Sequence, residues 1–407
     1  MTAPARPDPR TYWLVTLVAA AIMMVTMGAR QSLGLFMGPM NAGTGMGVVG
    51  ISLALAIGQF VWGAVQPIAG AIADRHGPGR VLAGGVLLLA LGCALTPFVT
   101  HTWGLVLTLG VLAAAGAGAG SFSVLIGAAA QRLPAEKRGM ASGIVNAGGS
   151  FGQFLFAPLL QKLIVLFGWM GAMGSLAVLT LAALPLTALL RRQPAQNPAH
   201  FGPEDRGAWA AVVRALDDPS YLLLHAGFFT CGFHIAFLVT HLPGEVRLCG
   251  LPAQVASWSL ALIGLANIAG SLAAGWCVQR FRSKYILAWM YGSRAVLIGL
   301  YLVAPKSALT FYVFAMGLGF TWLATVPPTA GIVGKLFGVR YLATLFGLTL
   351  LSHQVGGFLG AWLGGLALAK LGSYQVMWYA DIALAAAAAL VNLPIREAAV
   401  RAQTQPV

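Results

Sequence analysis

Apolar stretches of 19 to 29 residues recur twelve times along the chain, and none holds more than one charged residue. A helix needs about 20 residues to cross a hydrocarbon core of about 30 Å. Inside lipid, only a helix or a closed barrel pairs every backbone N–H and C=O. Runs of this length therefore predict membrane helices, over 12–40, 46–73, 81–100, 103–131, 139–165 and 169–190. A second six follow at 220–246, 253–278, 285–303, 307–334, 341–369 and 374–395. Charged residues make up 8% of the 407 and hydrophobic ones 58%. A soluble domain carries about 25% charged residues to face water, so a soluble enzyme, a disordered chain and a disulfide scaffold are all excluded.

The net charge of +14 is a matter of orientation rather than of nucleic-acid binding, because the basic residues are scattered in short groups and not gathered on one face. With both termini on one side, that side collects 18 of the 24 Lys and Arg, and the other only Lys162, Arg247, Lys306 and Lys370. Basic loops stay cytosolic, which predicts a multi-pass inner-membrane protein with both termini in the cytoplasm. The cysteines, Cys93, Cys231, Cys249 and Cys277, are too far apart for a metal or disulfide pattern. The first apolar run is too long for a cleavable signal.

The two sixes repeat. Gly70–Arg75 closes the second span and Gly275–Arg280 the eighth, an offset of 205; Gly143 and Gly152 in the fifth span return as Gly347 and Gly356 in the eleventh, an offset of 204. Duplicated six-helix halves are a recurrent plan of secondary transporters. The expected division is an amino-terminal bundle over 1–190, a cytosolic linker over 191–219 with an amphipathic stretch from Ala208 to Leu216, and a carboxy-terminal bundle over 220–407. The fold class is an all-α membrane protein of twelve helices in two pseudo-symmetric bundles.

After the second span comes Gly70-x-x-x-Asp74-Arg75-x-Gly77-x-Gly79-Arg80. At these residues the chain resembles the major facilitator superfamily. That resemblance implies a conformational latch made of Gly70, Asp74, Arg75 and Arg80, with a degenerate second copy in which Gln279 replaces the acid. A narrower resemblance is to bacterial monocarboxylate and oxalate:formate-type porters. It rests on Gly143 to Leu159, on Gly28-Ala-Arg30-Gln-Ser32-Leu-Gly34 and on His353-Gln354-Val-Gly356. The acidic opening before the first span and the Asp…Arg pair in the eighth, both features of animal carriers, are missing here.

Ionisable groups at mid-membrane cost at least ~2.5–3.5 kcal/mol, so each faces a cavity or a partner. Arg30 shares a helix face with Gly34, which would open space beside it. Arg294 is flanked by Tyr291 and Tyr301; it would either hold a carboxylate or pair with Asp381, the acid at the middle of the last span. His234 and His353 are candidates to exchange a proton near physiological pH, and His225 is expected to be structural. Gln59, Gln66, Asn146, Gln153 and Asn267 supply polar lining or interhelical hydrogen bonds. The glycine runs sit in apolar spans and serve close packing; there is no phosphate-loop lysine, no zinc motif and no nucleophile elbow. No cofactor is implied.

The expectation is a proton-coupled secondary transporter for a small organic anion. Monocarboxylate is the class the resemblance implies, with Arg30, Arg294, His234, His353, Gln153 and Tyr291 at the site. Its partners would be the anion, protons and the lipid bilayer, with the chain working as a monomer. Two alternatives stay open: a drug or metabolite efflux antiporter built around Asp381, and a non-transporting sensor or scaffold.

Overall fold

The computed structural model describes residues 9–130, 135–190, 207–278, 280–337 and 342–397, among which there is no strand. Helix α1 (Pro9–Gln31) passes through a 3-10 turn, Leu33–Phe36, into Met37–Thr44. Helices α2 (Val48–His76) and α3 (Pro78–Leu95) follow. The fourth crossing, α4, is assembled from Thr102–Leu105, a π-helical stretch Val106–Ala113, Ala114–Ala119 and Phe122–Ala130. Helices α5 (135–167) and α6 (169–181) are joined only by Gly168. Beyond a connecting helix, Gly207–Leu216, come α7 (Pro219–Leu248), α8 (Ala253–Val278) and α9 (Ser283–Val303). The last crossings are α10, split into Ala308–Thr321 and Val326–Phe337, α11 (Leu342–Leu371) and α12 (Gln375–Asn392).

Among the described residues, ten stretches are long and apolar enough to span a membrane. One of them, Gly143–Leu189, doubles back at Gly168 and counts twice; α11, whose apolar run is interrupted by Ser352, His353 and Gln354, completes twelve crossings. Two glycines make the sharpest joins possible. Gly168 has φ 66° and Gly77 has φ 89°, a region that side chains with a Cβ rarely enter. Gly77 both ends α2, through its N–H to the Ala73 carbonyl (2.8 Å), and starts α3.

One hydrophobic core draws on residues from Val15 to Leu190 and another chiefly on residues from Val212 to Ile395. Large apolar side chains such as Leu87 and Leu91 of α3 or Trp289, Val296 and Leu300 of α9 point outward, as a lipid-facing surface requires. The connecting helix tucks Val212 and Ala215 into the second core while Val213 and Leu216 stay exposed, an amphipathic arrangement.

Two antiparallel helix pairs join the halves, and they obey the internal repeat. Along α2 and α11, the bare face of Gly63 meets Gln354 and that of Gly365 meets Ser52. Along α5 and α8, Asn267 donates to Ser150 (2.8 Å) and Asn146 to Ser271 (3.3 Å), and Gly264 faces Gln153. Moving Gly63 forward by 205 and Gln354 back by 204 lands on 268 and 150, beside the observed Asn267–Ser150 pair. The two seams are images of each other.

The seams are not closed along their whole length. On the side away from the termini, Gly34 abuts the Val239 carbonyl and Gly38 the Arg247 side chain. Toward the termini, Gly70 falls opposite Gly347 and Gly143 opposite Gly275 in nearly the same register, yet among the described residues no atom of a neighbouring helix lies within 4 Å of where a Cβ of these four would stand. The halves therefore touch on the far side and part on the side of the termini.

Near the carboxy terminus, Glu397 acts as an acceptor for the start of α9. Its carboxylate takes the N–H groups of Ser283 (3.0 Å) and Lys284 (2.9 Å) and the Lys335 ammonium (2.5 Å). Lys284 in turn donates to the Leu393 and Ile395 carbonyls. Burial pushes this carboxyl up, but the bonds from Lys335, Lys284 and Ser283 outweigh it and hold the group below its ordinary value. A depressed carboxyl stabilises the fold fully above the unfolded Glu value of about 4.3 and loses that contribution as pH falls toward the folded one. Glu397→Gln should thus destabilise by about 1–3 kcal/mol at pH 7, and the gap to the parent should narrow on acidification below pH 4. Thermal unfolding in detergent across pH 3–7 measures both.

Candidate functional site

Arg30 ends the straight part of α1, and its guanidinium leans into a small cavity lined by α1, α2, α3, α4 and α7. Leu109 and Ala113, in the widened π-helical turn of α4, form one wall, and Val239 and Thr240 of α7 another. The guanidinium donates to Gln59 Oε1 and lies 4.1 Å from the centroid of the Trp62 ring, an arrangement that holds a cation without neutralising it. Among the described residues the ion pairs are His234–Asp381 and Lys335–Glu397, so no carboxylate answers Arg30. Gly34 lines the same cavity, but the space expected from its missing side chain is taken by the α7 backbone.

Arg294 is differently placed. It is 1% exposed, and its donors are spent on the break in α10: Nε to Thr321 Oγ1 (3.2 Å), Nη2 to the Trp322 carbonyl (2.7 Å) and to the Thr321 carbonyl, and Nη1 to Cys231 Sγ (3.5 Å). The Tyr291 ring lies beneath it at 5.3 Å. Where a helix breaks inside a membrane its freed carbonyls need other donors, and this guanidinium supplies them. Asn267 takes the Leu323 N–H (2.9 Å) on the other side of the break. The Arg294–Asp381 pairing weighed from sequence is absent, because Asp381 goes to His234: Nδ1 and Oδ2 are 2.5 Å apart, and both side chains are buried.

His353 and Gln354 sit side by side on α11 (Nδ1 to Nε2, 3.1 Å), His353 against Phe228 and Gln354 reaching over Gly63 of α2. Gln59 borders the same seam opposite Gly357. Arg30, Gln59, Gln354 and His353 thus gather around the α2–α11 seam at mid-membrane. Gln153 is buried in the other seam against Gly264, with its Nε2 unpartnered. Tyr291 stays with Arg294. His225 bonds Ser352 (2.6 Å) near the start of α7, and His241 is fixed between Tyr374 and the Ala361 carbonyl. Of the latch, Gly70 faces open space and Arg80 is exposed, while the side chains of Asp74 and Arg75, like all of Gln279, lie outside the described residues.

Two residues of this region carry no ionisable signal and escape a search for one. Trp322, at the α10 break, donates Nε1 to Gln31 of α1 (3.4 Å) and meets the His234 ring edge-on at 5.8 Å. The sign of the break was Pro327-Pro328 within the tenth apolar run. Proline fits the first turn of a helix and obstructs its interior, and here it opens the second half of α10.

A sequence profile described as the Major Facilitator Superfamily matches residues 19–361. Monocarboxylate transporter 13 of Rattus norvegicus is 29% identical over 400 residues, covering 95% of this chain and 90% of that protein. The oxalate:formate antiporter of Oxalobacter formigenes is 23% identical, covering 88% and 86%. Among solved structures, a bacterial homolog of the human lysosomal transporter Spinster, inward-facing and unoccupied, superposes with a TM-score of 0.70 at 14% identity over 95% of both chains.

Proposed function

The chain belongs to the major facilitator superfamily, and from that premise we propose that this transporter carries a small organic anion, a monocarboxylate, together with a proton. One observation carries the reading: Arg30 holds a positive charge at mid-membrane on an amide and an aromatic face, with no carboxylate in reach among the described residues. A guanidinium in that setting offers paired N–H donors to a carboxylate, and the anion completes a charge balance that the protein leaves open. The relatives named as monocarboxylate transporter and oxalate:formate antiporter support the same class.

In this reading the anion reaches Arg30 from the side of the termini, where the seams part, and the two bundles rock to close Gly70 on Gly347 and Gly143 on Gly275. The asymmetry of basic residues makes that side cytoplasmic, in a bacterial-type inner membrane with the chain acting as a monomer. Residues 1–190 and 220–407 are the two rocking bodies. Gln59, His353, Gln153 and Gln354 line the path, while Arg294 and Tyr291 are assigned to the α10 break. An efflux antiporter would favour a membrane acid free for substrate, and Asp381 is engaged by His234.

Purified protein in proteoliposomes with an inward proton gradient tests the reading. Labelled lactate or pyruvate should accumulate above equilibrium and stop accumulating when the gradient is collapsed. Absence of anion uptake together with extrusion of a lipophilic cation would reverse the assignment.

A further inference from the structure

We propose that His234 and Asp381 together form the proton-binding site of the transport cycle, and that Trp322 carries its state across to Gln31 of α1. This rests on the reading of the chain as a proton-coupled anion carrier. The two side chains come from α7 and α12, stand 2.5 Å apart and are 1% and 0% exposed. In the empty carrier of this proposal Asp381 is ionised and His234 neutral, so the carboxylate accepts and the imidazole Nδ1 donates to it. That leaves two acceptors, His234 Nε2 and Asp381 Oδ1, shut away from solvent and without a hydrogen-bond partner. Unsatisfied acceptors in a dry interior are costly. A proton arriving at Nε2 forms one N–H bond and breaks none within the pair, converting it to an imidazolium–carboxylate ion pair.

The surrounding charges give that proton a use. The helices packed around the pair carry Arg294 and Tyr291 of α9, Cys231 of α7 itself and His353 of α11 on this level, and His241, Glu245, Tyr301 and Tyr374 toward the far end, where they bond one another or the Ala361 carbonyl. Near the pair, α1, α8 and α10 present neutral side chains: Gln31, Asn267, Thr321 and Thr325. With the pair singly negative and Arg294 and Arg30 each positive, the empty interior holds one net positive charge. A monocarboxylate alone cancels it and a proton alone doubles it. The two together restore it, so each ligand favours the other by linkage and the loaded and empty carriers reorient with the same charge.

The relay is short. The His234 ring meets the Trp322 ring, and the indole N–H crosses to Gln31, the residue next to Arg30. A charge appearing on the imidazole acts on the indole directly, and the indole is one of the groups that bridge the two bundles.

Full-length protein in proteoliposomes tests this with His234→Gln and Asp381→Asn in two assays. One is lactate uptake driven by a proton gradient; the other is lactate exchange at equal pH on both sides, which needs no net proton movement. The expected result is a loss of about tenfold or more in gradient-driven uptake relative to exchange; an unchanged ratio overturns the proposal. If the parent protein moves no lactate in either assay, the anion reading is what fails, and the pair is then read spectroscopically. Imidazolium quenches indole fluorescence, so subtracting the pH titration of W322F from that of the parent isolates Trp322. A transition in this difference that H234Q lacks supports the proton site. A flat difference in the parent overturns it, whether or not H234Q folds.

Discussion

Arg30→Gln is expected to abolish lactate uptake in proteoliposomes while leaving the protein as heat-stable as its parent, or more so. Removing one partner of a desolvated charge pair costs about 2–5 kcal/mol of binding, which at 1.4 kcal/mol per decade is a loss of about thirtyfold to several thousandfold in affinity. Stability should move the other way because the charge is uncompensated in the empty protein: Gln59 and the Trp62 face hold it, and no acid does among the described residues. Arg30→Lys keeps the charge and gives up the fork, so it should retain transport at a raised KM. Uptake that survives Arg30→Gln unchanged would remove this side chain from the anion site. The paired measurement matters, since a structural arginine would lose stability and transport together.

The architecture was legible because lipid leaves the chain few choices. Twelve apolar runs, a lopsided distribution of Lys and Arg and a repeat at 204–205 residues are all consequences of backbone satisfaction and duplication, and each is written in residue order. The predicted spans meet the observed helices within a few residues, down to the turn at Gly168 between the fifth and sixth, except that the sixth breaks at Leu181 and resumes over Leu184–Leu189. The site was legible only in its inventory. Arg30, Arg294, His234, His353 and Asp381 stand out as ionisable groups in apolar runs, but which of them meet depends on rotation of α7, α9, α10 and α12 about their own axes. Sequence spacing fixes neighbours on one helix and says little about neighbours on another. Hence Asp381 was weighed as a partner for Arg294 and is instead bonded to His234. The tenth run predicts one unbroken span over 307–334, although Pro327-Pro328 carries the sign of a break, and its consequence, two freed carbonyls that claim an arginine from α9, needed the fold to be seen.

Arg294 accordingly supports a prediction opposite in character to that for Arg30. Arg294→Leu should leave the Thr321 and Trp322 carbonyls without their donor in the buried carboxy-terminal core. Each stranded acceptor costs about 1–3 kcal/mol, so the two carbonyls together lose about 2–6 kcal/mol. The variant should therefore show a large drop in thermal stability in detergent and poor yield. Arg294→Lys, which keeps a charge but only one point of donation, should recover part of the stability and not all of it, because a single ammonium does not span the hydroxyl and the two carbonyls that the fork reaches. The discriminating measurement is lactate KM in Arg294→Lys protein that has survived purification. A KM near the parental value, with the melting temperature lowered, assigns this arginine to the helix break; a KM raised tenfold or more (about 1.4 kcal/mol) with stability intact would move it into the anion site alongside Arg30.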